Sequence, residues 1–142
     1  MPNYVVDASV VMNYLITDTF TAQAQAFFNS ITAADTLIVP EFCLLECTNV
    51  IWKQVRFHGM PLHQANLLVD DLGLLPLKRT PMKRLLKPAL AVGVAHQLAV
   101  YDSAYIALAQ RSGFPLVTVD EPQRKAALAA GVQIKPVTDF LP

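Results

Sequence analysis

The stretch YVVDASVVMNYLI, residues 4–16, decides the fold because it places a strand directly before a helix. Its first three residues, Tyr4–Val6, are aromatic or β-branched and favour an extended strand. Asp7 follows at once, and the apolar spacing from Ser9 to Ile16 predicts a helix. A carboxylate therefore stands at the carboxyl end of the first predicted strand.

The same alternation of strand and helix continues along the chain. Four further apolar runs predict strands at Thr36–Val39, Leu74–Leu77, Leu116–Val119 and Val132–Ile134. Pro88 marks a kink or a new start within the helical patterns, which cover Ala22–Phe28, Glu41–Phe57, Leu62–Leu72, Met82–Gln97, Asp102–Ser112 and Pro122–Ala130. Strands separated by helices pair in parallel through right-handed crossovers. We therefore predict one α/β domain over residues 1–142, a helix–sheet–helix sandwich around a mostly parallel five-stranded sheet.

Composition excludes several classes of protein. Of the 142 residues, 54% are apolar and 15% are charged, so the chain can fill a core and is not disordered. The 11 basic and 11 acidic residues cancel, which excludes nucleic-acid binding through overall positive charge. Because no apolar run approaches the roughly 18–20 residues that span a bilayer, and Asp7 interrupts the apolar start, we expect no membrane segment and no signal peptide. Cys43 and Cys47 are expected to stay reduced, in a cytoplasmic protein.

Four carboxylates stand where an open parallel sheet binds its ligands, beyond the carboxyl ends of the strands. Asp7 and Asp120 directly follow the first and fourth strands. Asp102 begins a helix expected at the same end, and Glu46 lies in the second turn of the helix after strand two. Each aspartate could instead cap a helix or support a turn, which is a favoured role of aspartate.

Glu46 also begins a polar stripe on the long helix. Asn49 and Lys53 follow at the third and seventh positions, so an acid, an amide and a cation share one helix face. Either this face is solvated or it carries the three groups toward one site. The apolar stripe of the same helix consists of Leu44, Leu45, Thr48, Ile51, Trp52 and Val55.

Charge is distributed unevenly along the chain. Residues 1–52 contain five acids and no base, whereas residues 72–101 contain five bases and no acid. The five bases are Lys78, Arg79, Lys83, Arg84 and Lys87. This basic run is either a solvated surface or a contact for a phosphate backbone beside the acidic cluster.

Clustered carboxylates without a histidine or cysteine partner favour a hard cation. Oxygen ligands select Mg²⁺ or Mn²⁺ rather than zinc, and His58, His63 and His96 lack the spacing of a zinc site. Such a cation can hold a phosphodiester, activate a bound water and neutralise the leaving oxygen. The sequence contains neither a serine-hydrolase elbow nor a phosphate-binding glycine loop.

Four segments, taken in order and with their spacing, resemble the motifs of PIN-domain nucleases, and above all the VapC-type toxins of toxin–antitoxin pairs. The segments are VVDASVV at residues 5–11, LECTNVIWK at 45–53, YDSAYIALA at 101–109 and LVTVD at 116–120. The resemblance implies that the acidic residues of a catalytic metal site are Asp7, Glu46, Asp102 and Asp120.

The resemblance also implies supporting roles. Ser9 and Thr118 would help to order the acidic site, and Asn49 and Lys53 match polar residues that follow the family's glutamate. The candidates for substrate binding are Lys53, Lys83, Arg84 and Lys87. Glu121 stands where such toxins often carry a basic residue, and it could add a fifth carboxylate to the rim of the site.

The predicted function is therefore that of a Mg²⁺- or Mn²⁺-dependent endoribonuclease, the toxin of a type II toxin–antitoxin system. One alternative is a PIN-family nuclease outside a toxin pair or one that cuts DNA. A receiver-like signalling module would need an aspartate after strand three, where this chain has Lys78 and Arg79. A catalytically inactive binding domain is not favoured, because all four acids are present.

Three partners follow from the same resemblance: an RNA substrate, a second copy of the chain and a cognate antitoxin. A surplus of apolar side chains favours such contacts. Cys43, Cys47 and Val50, on a third side of the long helix, are candidates for a homodimer seam or an antitoxin groove. Other apolar side chains are divided between the core and this surface, namely Phe20, Phe27, Phe28, Phe42 and Trp52.

Overall fold

Four parallel strands form the centre of the computed structural model, which describes residues 2–141. The strands are β1 (Asn3–Val6), β2 (Thr36–Pro40), β3 (Leu77–Thr80) and β4 (Leu116–Val117). Their order across the sheet is β3-β2-β1-β4, and every pairing is parallel. Within the described residues, seven helices accompany the sheet: α1 (Ala8–Leu15), α2 (Thr21–Ser30), α3 (Cys43–His58), α4 (Leu62–Leu74), α5 (Leu86–His96), α6 (Val100–Ser112) and α7 (Glu121–Ala129).

The prediction of an α/β fold with a parallel sheet is confirmed, but the prediction of five strands is wrong. The segment Val132–Ile134 forms only one isolated parallel bridge, between Ile134 and Leu116. Its partner β4 is two residues long, and Pro136, which has no N–H to donate, soon follows. The ladder therefore stops after the backbone bonds from Leu116 N to Gln133 O and from Lys135 N to Leu116 O.

The third strand lies three residues later than the sequence predicts. Helix α4 continues through Leu74, so β3 begins only at Leu77, just after Pro76. As a result Lys78 and Arg79 lie within β3 and are exposed. Charged side chains on an edge strand oppose pairing with another chain.

The start of α5 settles the role of Pro88. A 3₁₀ turn covers Lys83–Leu85, and α5 begins directly after it at Leu86. Pro88 therefore lies in the first turn of α5, where a missing N–H is tolerated, and it does not kink a longer helix.

Close packing of α5 against α6 positions the first turn of α6. At Gly93, an added Cβ would lie 2.8 Å from the Leu98 carbonyl oxygen and 3.2 Å from Ser103 Oγ. The Ser103 hydroxyl also donates to the Leu98 carbonyl at 3.1 Å. A side chain at position 93 would therefore displace the turn that carries Asp102.

Helix α3 buries a different face from the apolar stripe noted in the sequence. Its buried residues are Cys43, Cys47 and Ile51, whereas Leu45 is 74% exposed and Trp52 is 53% exposed. The assignment of Cys43 and Cys47 to a homodimer seam or an antitoxin groove is therefore wrong. Both thiols are free and buried in the core, on a helix that packs against α4 and α1.

Within residues 2–141, no helix combines the length and the apolar character needed to cross a membrane.

Candidate active site

Asp7 occupies the junction between β1 and α1 and is only 4% exposed. As the N-cap of α1, it accepts a hydrogen bond at Oδ2 from the backbone N–H of Ser9, at 3.0 Å. Its Oδ1 accepts a second bond, from Nε2 of Gln123, also at 3.0 Å. Burial raises the pKa of Asp7, the bonds from Ser9 and Gln123 oppose this, and the Asp120 charge adds to it.

Two hydroxyl groups connect Asp7 to the segment after β4. Thr118 Oγ1 lies 3.4 Å from Asp7 Oδ2 and 3.3 Å from Ser9 Oγ. Ser9 Oγ accepts from the Val119 backbone N–H at 3.2 Å, and Thr118 Oγ1 accepts from the Asp120 N–H at 3.0 Å. These bonds connect the two chain segments that carry Asp7 and Asp120. The role of Ser9 and Thr118 in ordering a metal site stays a prediction.

Glu46 lies in the first turn of α3, half-buried, and its carboxylate is held from α6. The Tyr105 hydroxyl, whose ring is fully buried, donates to Glu46 Oε1 at 2.8 Å. The pKa of Glu46 is raised from 4.5 to about 7. Burial is the main cause and the charges of Asp7 and Asp102 add to it, whereas the Tyr105 bond opposes it.

Asp102 and Asp120 complete the group. Asp102 lies in the first turn of α6, which begins at Val100, so it does not cap this helix. Burial, followed by the charges of Asp7 and Asp120, raises the pKa of Asp102 from 3.8 to about 6. Asp120 caps α7 by accepting from the Gln123 N–H at 2.8 Å. The four carboxylates are therefore close enough to repel one another, and two of them also serve as caps.

Known proteins resemble this chain in sequence and in fold. The sequence profile of the PIN domain matches residues 4–128, which is most of the chain. The chain belongs to the PIN-domain family. Ribonuclease VapC3 from Pyrobaculum aerophilum is 30% identical over 118 residues, covering 82% of this chain and 88% of the relative.

Solved structures share the fold of this PIN domain. VapC20 from Mycobacterium tuberculosis, described as a toxin that cleaves the sarcin–ricin loop, superposes with a TM-score of 0.69 at 17% identity. The match covers 94% of this chain and 99% of that structure. The VapBC2 complex from Rickettsia felis, bound to a promoter DNA fragment, gives a TM-score of 0.68 at 11% identity, covering 94% and 98%.

Some of the other predicted site residues line a groove beside Glu46, and others lie outside that groove. Asn49 and Lys53 line a groove of about 710 Å³ that also includes Glu46 and the exposed side chains of Trp52 and Tyr101. This places the polar stripe of α3 beside one of the four carboxylates, that of Glu46.

The basic run does not line this groove. Lys83, Arg84 and Lys87 are exposed on the segment that follows β3, the edge strand that β2 separates from β1. Glu121 does not add a fifth carboxylate, because it is exposed and ion-paired with Arg124.

Sequence reasoning missed two residues that contact the carboxylates, Gln123 and Tyr105. Gln123 stands three residues after Asp120, a spacing typical of a helix cap, so its contact with Asp7 had no distinct signal. Tyr105 follows Asp102 by three residues and carries no charge. Both residues are fully buried, and each bonds a carboxylate from a distant part of the chain.

The donor set of the PIN domain fits a hard divalent cation. Across residues 2–141, no three His, Cys, Asp or Glu side chains are drawn together as a complete metal cage. Mg²⁺ does not need one, since it is commonly bound through one or two carboxylates and keeps several waters. Mutually repelling carboxylates and a buried, unpartnered oxygen, Gln123 Oε1, suit a hydrated cation. The residues that would hold it are Asp7, Glu46, Asp102 and Asp120.

Proposed function

We propose that this chain is a Mg²⁺- or Mn²⁺-dependent endoribonuclease and the toxin of a toxin–antitoxin pair. The observation that carries the proposal is the convergence of four carboxylates beyond the carboxyl ends of β1 and β4, where neighbouring negative charges add to burial in raising the pKa values of Asp7, Glu46 and Asp102. Membership of the PIN-domain family and similarity to a relative named as a ribonuclease support it.

The chemistry is hydrolysis of a phosphodiester, in which a water oxygen attacks phosphorus and the bond to the leaving oxygen breaks. A divalent cation, when bound by these carboxylates, would supply activation of that water and charge neutralisation at the leaving oxygen. The chain's own contribution is to orient its carboxylates through hydrogen bonds to their oxygens. Ser9, Thr118 and Gln123 do this for Asp7, and Tyr105 does it for Glu46.

Substrate binding is assigned to positive charges around the carboxylates. Lys53 lines the same groove as Glu46, so it is placed to contact a phosphate next to the scissile bond. Lys83, Arg84 and Lys87 lie on the β3 side of the same sheet edge and would bind the strand further along.

The decisive experiment compares RNA and DNA oligonucleotides of the same sequence, each with Mg²⁺, Mn²⁺ or EDTA. We expect cleavage of RNA with either cation and none with EDTA. Cleavage of DNA alone would favour the alternative of a DNA nuclease. Cleavage that persists in EDTA would contradict the proposed use of a metal ion.

The proposed partners are a second copy of the chain and an antitoxin. Exposed apolar residues that recur on one face of α5, namely Leu86, Leu90 and Val94, support a homodimer. Light scattering would measure the mass of the protein in solution and would thereby test for the homodimer. A neighbouring reading frame whose product binds the chain and blocks cleavage would establish the toxin pair. We also propose a cytoplasmic location, because thiols such as Cys43 and Cys47 stay reduced there.

A further inference from the structure

Gln123 is a fully buried polar side chain in the first turn of α7. An amide is costly to bury unless it is hydrogen bonded. Its Nε2 donates to Asp7 Oδ1 at 3.0 Å and to the backbone carbonyl oxygen of Asp102 at 3.1 Å. One side chain therefore joins the end of β1 to the first turn of α6.

A local capping role does not explain this placement. In a capping box, a glutamine three residues after the N-cap returns its side chain to the N-cap backbone N–H. Here the Asp120 N–H donates to Thr118 Oγ1 instead, at 3.0 Å. Only the other half of the box is formed, from the Gln123 N–H to Asp120 Oδ1. The Gln123 side chain is therefore directed to the carboxylates and not to its own helix.

The contact fixes the orientation of the Asp7 carboxylate. Ser9 N–H bonds Oδ2 and Gln123 bonds Oδ1, so rotation of the carboxylate would break at least one bond. The amide of Gln123 is itself fixed, because a flip would turn its oxygen toward two acceptors.

The same orientation leaves Gln123 Oε1 facing no donor. Among the described residues it is one of two buried side-chain atoms without a hydrogen-bond partner, the other being Gln23 Oε1. A buried carbonyl oxygen of this kind requires a donor. Water molecules around a divalent cation are donors of the right type.

We propose that Gln123 is a positioning residue for divalent-cation binding: its N–H groups hold Asp7 against α6 beside the cation, and its unpartnered oxygen accepts a hydrogen bond from a water bound to that cation. This inference rests on the proposed metal-dependent function. Residues that orient a metal ligand change metal affinity or activity by about 10–100-fold when they are replaced. Gln123 acts through Asp7 and is not itself assigned as a ligand.

The first test uses the wild-type chain and the ¹⁵N-labelled side-chain amides of glutamine. Gln110 is the internal control, because its Nε2 also donates to a backbone oxygen, that of Ala130 at 3.1 Å, but outside the site. On addition of Mg²⁺ to the metal-free protein, we expect the Gln123 signals to shift and those of Gln110 to stay. If the backbone signals of Asp7 and Asp102 move but those of Gln123 do not, the proposed role is wrong. If no signal moves, the metal site itself is wrong, and with it the role of Gln123.

The second test replaces Gln123 with methionine, which is similar in length and is apolar. We expect Gln123→Met to bind Mn²⁺ about 10–100-fold more weakly by calorimetry and to lose a similar factor in kcat, with little change in KM for RNA. Gln110→Met should match the wild type in all three measurements. A folded Gln123→Met variant with wild-type Mn²⁺ affinity would overturn the inference, while RNA cleavage by the wild type would leave the proposed function intact.

Discussion

Asp7 and Asp120 form the sheet half of the carboxylate cluster, and Glu46 and Asp102 form its helix half. The sheet half lies at the ends of β1 and β4, and both of its members cap the helix that follows. The helix half lies in the first turns of α3 and α6, and neither of its members caps a helix. The halves therefore differ in how the chain holds the carboxylate.

The sheet half is held by many bonds and the helix half by few. The Asp7 carboxylate accepts hydrogen bonds from Ser9 and Gln123, and Thr118 Oγ1 lies farther away, 3.4 Å from Asp7 Oδ2. Glu46 accepts from Tyr105, and its pKa is raised to about 7.

The difference teaches that capping and metal binding are not competing interpretations of these aspartates. A carboxylate that caps a helix is already oriented, which is what a metal ligand needs. In the helix half, burial and then the charge of Asp7 raise the pKa values of Glu46 and Asp102, and a bound cation would offset that charge. We expect the sheet half to determine geometry and the helix half to determine how the site responds to pH.

The largest effect is expected from removing the charge of Asp7. Asp7→Asn should reduce RNA cleavage by more than about 100-fold, the upper range for residues that only support a ligand. Circular dichroism should show a folded variant, and Asp70→Asn, an exposed acid on α4, is the control expected to cleave normally. Similar tests of Glu46→Gln, Asp102→Asn and Asp120→Asn compare the halves. A variant that cleaves at the wild-type rate would remove its residue from the site.

The next effect concerns stability without metal. A raised pKa means that folded Glu46 binds a proton at a pH where the unfolded chain has lost it. The contribution of this proton to the free energy of unfolding is fully present below pH 4.5 and is lost as the pH rises through about 7. Because Glu46 is only partly buried, solvent screening limits this contribution to about 1–2 kcal/mol.

Melting curves in EDTA between pH 4.5 and 7.5 measure the effect. Glu46→Gln should reduce the loss of stability with rising pH, because glutamine can still accept a hydrogen bond from Tyr105 but carries no charge. A divalent cation at a hundred times its dissociation constant should add about 2.7 kcal/mol to the wild type near neutral pH. A wild-type stability in EDTA that rises from pH 5 to 7 would contradict the raised pKa of Glu46.

A smaller effect is expected from charges outside both halves. Replacing Lys83, Arg84 and Lys87 with glutamine should weaken RNA binding and flatten its salt dependence by roughly 0.7 log–log units per lost phosphate contact. Mn²⁺ affinity should not change. The matched control replaces three exposed bases elsewhere, Arg56, Arg111 and Lys125. If the two triple variants bind RNA alike, the basic run is only a solvated surface, and Lys53 becomes the principal candidate.

How far the sequence predicted the site depends on the range of each interaction. Asp7 was predictable because the strand, the carboxylate and the helix are consecutive in the chain. Glu46 was predictable from the polar stripe of α3. Gln123 and Tyr105 were not, because their carboxylate partners lie 116 and 59 residues away in the sequence.

The fold shows the same limit. The order of strands and helices follows from local patterns, and it was predicted correctly for the first four strands. Val132–Ile134 has a strand-like composition, yet whether it joins the sheet depends on the length of β4 and on Pro136. The buried side of α3 was set by what packs against it, so Leu45 and Trp52 face outward although they are apolar.

The smallest effect, and the most specific to the helix half, is expected from Tyr105→Phe. The variant keeps the buried ring and its edge contact with Phe42, at 6.0 Å between ring centroids, and loses only the hydroxyl that donates to Glu46. Because that bond stabilises the ionised carboxylate, its loss should raise the pKa of Glu46 above about 7. The acidic limb of the pH–activity profile should therefore move to higher pH, with the activity at the upper end of the profile largely retained. Tyr101→Phe, at an exposed position, is the control and should leave the limb in place. A limb that stays fixed in Tyr105→Phe would mean that Glu46 is held by the sheet half and not by α6.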